Sequence, residues 1–352
     1  MTHTLRQGRL TLHGCGPDAS AGARTWIAEG TGGGPVGEFR TELRVANARR
    51  AGLALTRPWT GEGQLLRDAL RLLVDHLQYG CGLHRVDIDA LDTEQDVIAA
   101  ARGCGFSAEG RRRHVAIRDG RWHDRLHFGL LEDDRRQGHL TSDAPDEHAE
   151  GAPVLPSPPI PALAPADFAV LRGARVTLRR RRASDRDTFY RWQCRSEWWP
   201  LWMPEDPDGY RAPSRTEFDA SWSDAPSARE WVVETENGLP LGVCFYCALD
   251  RANRSAEADV LLYDADQWGQ GYGTEAFGLL VRHLFEDLKL HRVQSGTWSG
   301  NAGSLRVQVK NGLRVEALSP DSYFVGGQWY DGVGTGVLED ECAARGPREG
   351  AV

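Results

Sequence analysis

The chain has 352 residues, 42 Lys and Arg against 50 Asp and Glu, a net charge of −8, and is 40% hydrophobic and 26% charged. At roughly 150 residues per domain this length predicts two domains, and the composition excludes a collagen-like or wholly disordered chain. The acidic balance argues against a protein whose main task is gripping nucleic acid; no apolar run nears the roughly 20 residues of a membrane helix, and MTHTLRQGRLTLHG at the start lacks a signal-peptide core. Seven cysteines scattered along so large a chain do not form a disulfide framework, so a reducing cytoplasm is the expected setting.

The first half is legible through its repetition in the second. LHRV at 83–86 recurs at 290–293, and the same 207-residue spacing pairs Ala69 with Ala276, His76 with His283, Glu109 with Glu316 and Trp122 with Trp329. Upstream, ARTWIAE at 23–29 matches AREWVVE at 228–234 with a spacing two residues shorter. Such a period is far too long for a solenoid, so each copy reads as a domain. The copies span 1–134 and 167–345, with a short tail at 346–352. Between them, 135–166 holds seven of the 18 prolines among acidic and small residues, a composition that predicts a semi-extended linker.

In the second copy ARVTLRR predicts a strand, and ASDRDTFYRWQC a helix starting at Ser184 or Asp185. SEWWPLWMPEDPDGY is irregular, because Pro200, Pro204 and Pro207 forbid a long helix. A hairpin turning at Asn237-Gly238 follows, then the strand AEADVLLY. GTEAFGLLVRHLFEDL carries a helical apolar stripe. HRVQSGTWS is a strand, SLRVQVKNG a short helix ending at Gly312, and LRVEAL and GTGVLED complete a sheet. The first copy lacks the helix and Trp-rich segment. The fold class is therefore α+β: two tandem domains, each a mixed, mostly antiparallel sheet flanked by helices.

The chemistry concentrates in AEADVLLYDADQWGQGYGTEAF at 256–277, where a strand enters a loop with Gly269, Gly271 and Gly273 and a helix starts at once. Glycines let successive N–H groups face a ligand, and the helix terminus adds partial positive charge, so the loop suits a phosphate or pyrophosphate. A tight strand-to-helix turn is the plain alternative. No Lys-Ser/Thr follows, which excludes a Walker loop. QWGQGYGTEAFGLLVRHLF resembles motif A of the GNAT N-acetyltransferase superfamily, Q/R-x-x-G-x-G/A. LHRVQSGTWSGNAGSLRVQVKNG resembles motif B of its ribosomal-protein-alanine acetyltransferase-like branch. The resemblance covers about residues 170–341 and extends to the first copy through the repeat, as a degenerate GNAT-like domain.

The resemblance implies acetyl-CoA, or another acyl-CoA, in a cleft between two splayed strands, with no metal. Its pyrophosphate would lie on the backbone of Gln270, Gly271, Gly273 and Thr274, with Gly269 keeping the approach open. Val260, Leu261 and Leu262 would bond the pantetheine arm, and Asn301 would contact it further along or cap the helix that follows. Trp268 stands where the family has Gln or Arg. Glu257 matches a carboxylate that members use as general base, with Asp259 two residues on as substitute on the same strand face; either could equally line a polar face. At the position of the family's Tyr acid stands Gln308; Ser304 matches a Ser that members of this branch place near the thiol and would serve the departing thiolate, with Tyr323 and Tyr330 as weaker candidates and water as a further one.

Trp198, Trp199 and Trp202 fall where the family binds its acceptor, as an aromatic wall or as plain core, and Glu205, Asp206 and Asp208 beside them could attract a cationic amine or equally form a solvated acidic loop. Cys244 and Cys247, three apart on a strand, point to opposite faces, which argues against zinc. In the first copy Gln64 and Leu66 replace Gly271 and Gly273, Glu94 replaces Asn301, Val97 replaces Ser304, and Arg50 or Ala51 falls opposite Glu257. That copy is expected to be non-catalytic, packing on its partner as one half of a pseudo-dimer. The implied activity is acyl-CoA-dependent N-acylation of a small-molecule or peptide amine; a non-catalytic acyl-CoA sensor and an O-acyltransferase are the rivals.

Overall fold

Along ARTWIAE the inward positions take Trp26 and Ala28, both buried, and the matching strand buries Trp231, Val232 and Val233. Cores start from these strands. In the computed structural model, which describes residues 3–17, 23–32, 34–45, 49–137, 170–194, 211–223 and 229–343, the chain divides into two units. The first comprises Met1–Pro153 and Ala317–Gly332, the second Val154–Glu316 and Val333–Val352.

In the first unit β1 (His3–Gln7), β2 (Leu10–Pro17), β3 (Ala23–Glu29), β4 (Pro35–Val45) and β5 (Arg50–Arg57) form an antiparallel meander. Helix α1 (Gly63–Asp75) crosses to β6 (Arg85–Leu91), which lies parallel to β5. Then come α2 (Gln95–Gly103), the hairpin β7 (Ser107–Arg118) and β8 (Arg121–Leu131), and α3 (Glu132–Gln137). The strand order is β1-β2-β3-β4-β5-β6-β8-β7. One face of α1, with Leu66, Ala69, Leu70, Leu73 and Val74, closes the core over Trp26, Phe39, Ile88 and Phe128.

The second unit runs β9 (Leu171–Arg172), β10 (Val176–Arg179), α4 (Arg186–Gln193), α5 (Arg215–Ser221), β11 (Glu230–Thr235), β12 (Pro240–Asp250) and β13 (Ser255–Leu262). Helix α6 (Tyr272–Glu286), β14 (Arg292–Trp298), α7 (Ala302–Lys310) and α8 (Glu339–Ala343) also belong to it, while β15 (Arg314–Val325) and β16 (Gln328–Leu338) contribute only their ends at 314–316 and 333–338, Ala317–Gly332 being counted with the first unit. Its strand order is β16-β14-β13-β12-β11-β10-β9, with β13 and β14 parallel. Thus the sheet is mixed and mostly antiparallel, with helices packed on it. Among the described residues no helix is long and apolar enough to cross a membrane.

The sequence repeat is matched by repeated geometry. Trp26 meets His76 edge-on at 5.2 Å and 70°, and Trp231 meets His283 at 5.4 Å and 76°. Arg85 pairs with Glu109 in the first unit, and Arg292 with Glu316 at 2.6 Å in the second, where the side chains are only 1% and 3% exposed. Removing one partner of so buried a pair strands the other charge. Glu316→Leu is therefore predicted to cost about 3–5 kcal/mol. At 2–4 °C per kcal/mol that is roughly a 6–20 °C fall in Tm. Calorimetry giving a wild-type Tm would refute a stabilising role for the pair.

Two features depart from expectation. The last hairpin is longer than LRVEAL and GTGVLED, because both strands continue to a turn at Gly326 and Gly327, each at positive φ. Helix α5 was not anticipated, although its capping box was visible: Ser214 Oγ accepts from Glu217 N at 3.3 Å while Glu217 returns a bond to Ser214 N at 2.7 Å.

Candidate active site

Small residues let β13 lie close beneath α6: Ala256 and Ala258 are buried against Ala276, Phe277 and Leu280. Alternation then turns Glu257, Asp259 and Leu261 to the opposite face, where Leu261 packs on a cluster of Phe189, Trp192, Phe218 and Val243. β13 pairs with β14 only at Ser255–Arg292, Ala256–Val293 and Glu257–Gln294. Both strands run on, to Leu262 and Trp298, without further pairing. They part beyond Glu257. The parting leaves the β14-facing edge of Val260 and Leu261 open, while the Leu262 carbonyl accepts from Trp268 Nε1 at 2.9 Å.

Asp259 sits where the strands part. Ser295 Oγ on β14 donates to its Oδ1 at 3.0 Å across the gap. Burial, and secondly the charge of Glu257, push the Asp259 carboxyl up to about 7, against the opposing pull of the Ser295 bond. Both carboxylates keep intermediate exposure. A carboxyl titrating near neutrality can take a proton at physiological pH and release it again.

The glycine loop sits at the other end of the opening. Gly269 and Gly271 have φ of 76° and 92°, conformations that side chains resist, and Gly271 is the N-cap of α6. The first-turn N–H groups of Tyr272, Gly273 and Thr274 have no partner in their own helix and gather positive potential. A Cβ on Gly273 would stand 3.3 Å from Leu262 Cδ1, so glycine there lets α6 approach β13. Sequence reasoning missed Arg175. Its NH1 donates to Gln270 O at 3.0 Å, its backbone N to Glu275 Oε1 at 2.8 Å, and its guanidinium lies over the Tyr272 ring at 5.0 Å. This half-exposed cation stands at the loop in place of the charge that Trp268 does not carry. A lone Arg 95 positions from the loop gives no sequence signal.

Helix α7 flanks the loop. Asn301 caps it, accepting from Ser304 N at 3.1 Å, and Asn311 Nδ2 donates to Thr274 O at 3.0 Å. Ser304 Oγ accepts from Gln308 Nε2 at 3.0 Å. Thus Asn301 performs the capping role that the sequence left open. Tyr323 and Tyr330 fall within Ala317–Gly332 of the first unit. Trp198, Trp199, Trp202, Glu205, Asp206 and Asp208 lie outside the described residues. On β12, Cys244 is buried and Cys247 exposed, as three-residue spacing requires.

Asp87, Glu109 and His127 in the first unit are close enough to suit a cation, but guanidinium groups already stand among them. Arg50 Nε lies 2.5 Å and Arg85 Nε 2.7 Å from Asp87, and Arg85 also bonds Glu109.

The first unit departs from the second at every reactive position. Its α1 starts at Gly63, so Gln64 is helical where Gly271 is left-handed, and Leu66 fills the Gly273 position fully buried. Strand register corrects one expectation. Arg50 pairs with Arg85 as Ser255 pairs with Arg292, so Gly52 and Ala54, not Arg50 or Ala51, stand opposite Glu257 and Asp259. The shorter spacing of the upstream hairpin persists through this strand.

Comparison with known proteins bears on the second unit. Residues 175–314 match the acetyltransferase (GNAT) domain family. A probable N-acetyltransferase of Bacillus subtilis (strain 168), YjcK, is 40% identical over 63 residues, which are 18% of this chain and 35% of that protein. The uncharacterized N-acetyltransferase YnaD of the same organism is 28% identical over 80 residues, 23% of this chain and 47% of that protein. The chain therefore covers less than half the length of either. Among solved structures, a spermidine N-acetyltransferase from Vibrio cholerae in complex with CoA and spermine aligns with 49% of this chain and 99% of its own, at 18% identity and a TM-score of 0.42. A GCN5-related N-acetyltransferase from Brucella melitensis aligns with 53% of this chain and 84% of its own, at 22% identity and a TM-score of 0.42.

Proposed function

We propose that the acetyltransferase (GNAT) domain at 175–314 transfers an acetyl group from acetyl-CoA to a primary amine of a small molecule or peptide. The observation that carries this reading is the parting of β13 and β14 beyond Glu257, with Asp259 in the gap and a left-handed glycine opening the helix at the far end. The pyrophosphate lies on the backbone of Gln270, Gly271, Gly273 and Thr274, with Arg175 adding charge. The pantetheine arm runs along the open edge of Val260 and Leu261, and Asn301 acts by capping α7.

The acceptor arrives protonated, since amines titrate well above neutrality. Asp259 takes a proton from its ammonium, and Glu257 keeps the local field negative, which favours the cation's approach. The free amine attacks the thioester carbon, the C–S bond breaks with its electrons passing to sulfur, and the second proton of the attacking nitrogen leaves to solvent. Ser304 donates a hydrogen bond to the departing thiolate. The first copy, a degenerate relative of the same fold, has no cradle and no carboxylates at the matching positions, and takes no part in the chemistry.

Mass spectrometry of products from a panel of amines and peptides, incubated with several acyl-CoAs, tests the reading. An acetylated amine formed with release of one CoA is expected. Turnover of hydroxyl acceptors alone, or tight acyl-CoA binding with no product from any acceptor, would overturn it.

A further inference from the structure

A run of polar contacts links Ser304 to Asp259 through the interior of the second unit. Gln308 Nε2 donates to Ser304 Oγ at 3.0 Å, and Thr335 Oγ1 donates to Gln308 Oε1 at 2.8 Å. Thr335 Oγ1 also lies 3.2 Å from the Ser295 carbonyl, and Ser295 Oγ donates to Asp259 at 3.0 Å. Gln308, Thr335 and Ser295 are only 2%, 2% and 5% exposed. Burying three uncharged polar side chains costs more than packing apolar ones, and their mutual bonds recover little beyond that cost.

The first unit supplies an internal control. At the positions of Ser295, Ser304, Gln308 and Thr335 it carries Ile88, Val97, Ala101 and Phe128, all buried in its core, and Ala54 stands for Asp259. The same scaffold thus folds with every one of these positions apolar. Packing does not require the polar chain; something at its ends does.

We propose that Gln308 is a positioning residue, whose amide, clamped by Thr335, turns the Ser304 hydroxyl so that its proton is left for the sulfur of CoA. The inference rests on the acyl-transfer reading above. The Thr335 hydroxyl has one proton, and the 2.8 Å contact takes it in preference to the one at 3.2 Å. With Oε1 so occupied, the amide presents Nε2 to Ser304. Ser304 must accept that bond, and its own proton is then free. Ser304 retains partial exposure, and its helix face also carries Val307 and Asn311, which lie against Gly273 and Thr274 of the cradle. A serine hydroxyl is a far weaker acid than a thiol of pKa about 8.5, so it stabilises the thiolate without surrendering its proton. The ammonium's first proton passes to Asp259, the nitrogen's second proton passes to solvent on attack, and the thiolate gains its proton from solvent.

The test uses the full chain with CoA, acetyl-CoA and desulfo-CoA. Gln308→Ala, which installs the first unit's residue, is expected to lower kcat about tenfold to a hundredfold. The KM for acetyl-CoA and the affinity for desulfo-CoA should stay within about twofold, since neither depends on a bond made to sulfur. Ultraviolet absorbance of the bound thiolate should show CoA ionising at higher pH in the variant than in wild type. In a Ser304→Ala background the same substitution should add no further loss. Thr335→Val, of matched shape, should repeat these effects and supplies the answer if Gln308→Ala does not fold. A loss that adds fully to that of Ser304→Ala, or a thiol titration unchanged in both variants, would overturn the proposal. A wild type that turns over no amine overturns the acyl-transfer reading instead, while the thiol titration still decides the role of Gln308.

Discussion

Asp259→Asn is expected to lower kcat by about 10²–10⁴-fold at neutral pH, the usual worth of a positioned base, with CoA affinity unchanged. The wild-type rate should fall on acidification through about 7, because the base works only as carboxylate and Asp259 is increasingly protonated below that value. The neighbours of Asp259 fix the direction of two further shifts. Glu257 raises its pKa by charge repulsion, so Glu257→Gln should move the acidic limb to lower pH. Ser295 lowers it by bonding the charged form, so Ser295→Ala should move the limb to higher pH. Raising the pH should partly rescue Asp259→Asn, since more of the amine is then already free. Full activity in Asp259→Asn together with a deep loss in Glu257→Gln would transfer the role of base to Glu257.

Gly271→Val is expected to abolish CoA binding. Gly271 has φ of 92°, which a β-branched residue does not adopt, and a Cβ there would stand 2.8 Å from Arg175 NH2. The substitution therefore distorts the loop and displaces the Arg175 guanidinium held against it. Gln64→Ala, at the matching position of the first copy, should leave CoA affinity unchanged, because that side chain lies in a helix and donates to Asp68 Oδ1 at 3.1 Å. Titration calorimetry should give one CoA per chain for wild type and for Gln64→Ala, and none for Gly271→Val. Two sites per chain would show that the first copy still binds, and an intact site in Gly271→Val would show that the cradle lies elsewhere.

Much of this arrangement is written locally. The repeat was legible because the residues that hold the scaffold, such as Trp26 with Trp231, His76 with His283 and Arg85 with Arg292, recur at nearly constant spacing. The glycine loop was legible because left-handed backbone at a helix start demands glycine in the sequence itself. The Cys244 and Cys247 orientations followed from the two-residue period of a strand. Even helix α5, which was missed, had left its capping box at Ser214 and Glu217.

What remained hidden depends on contacts between distant segments. Glu257 and Asp259 are equivalent on a strand diagram; only burial and the Ser295 bond from a neighbouring strand set Asp259 apart. Arg175 meets the loop because β10 lies beside the start of α6, an association no local pattern encodes. Gln308 read alone was the absence of a tyrosine, and became a participant only when Thr335 closed over it from β16. Periodicity, turns and caps act within a few residues and are therefore written in order along the chain. A pKa or the orientation of an amide is set by whatever the fold brings within a few ångströms, and sequence separation carries no record of that distance.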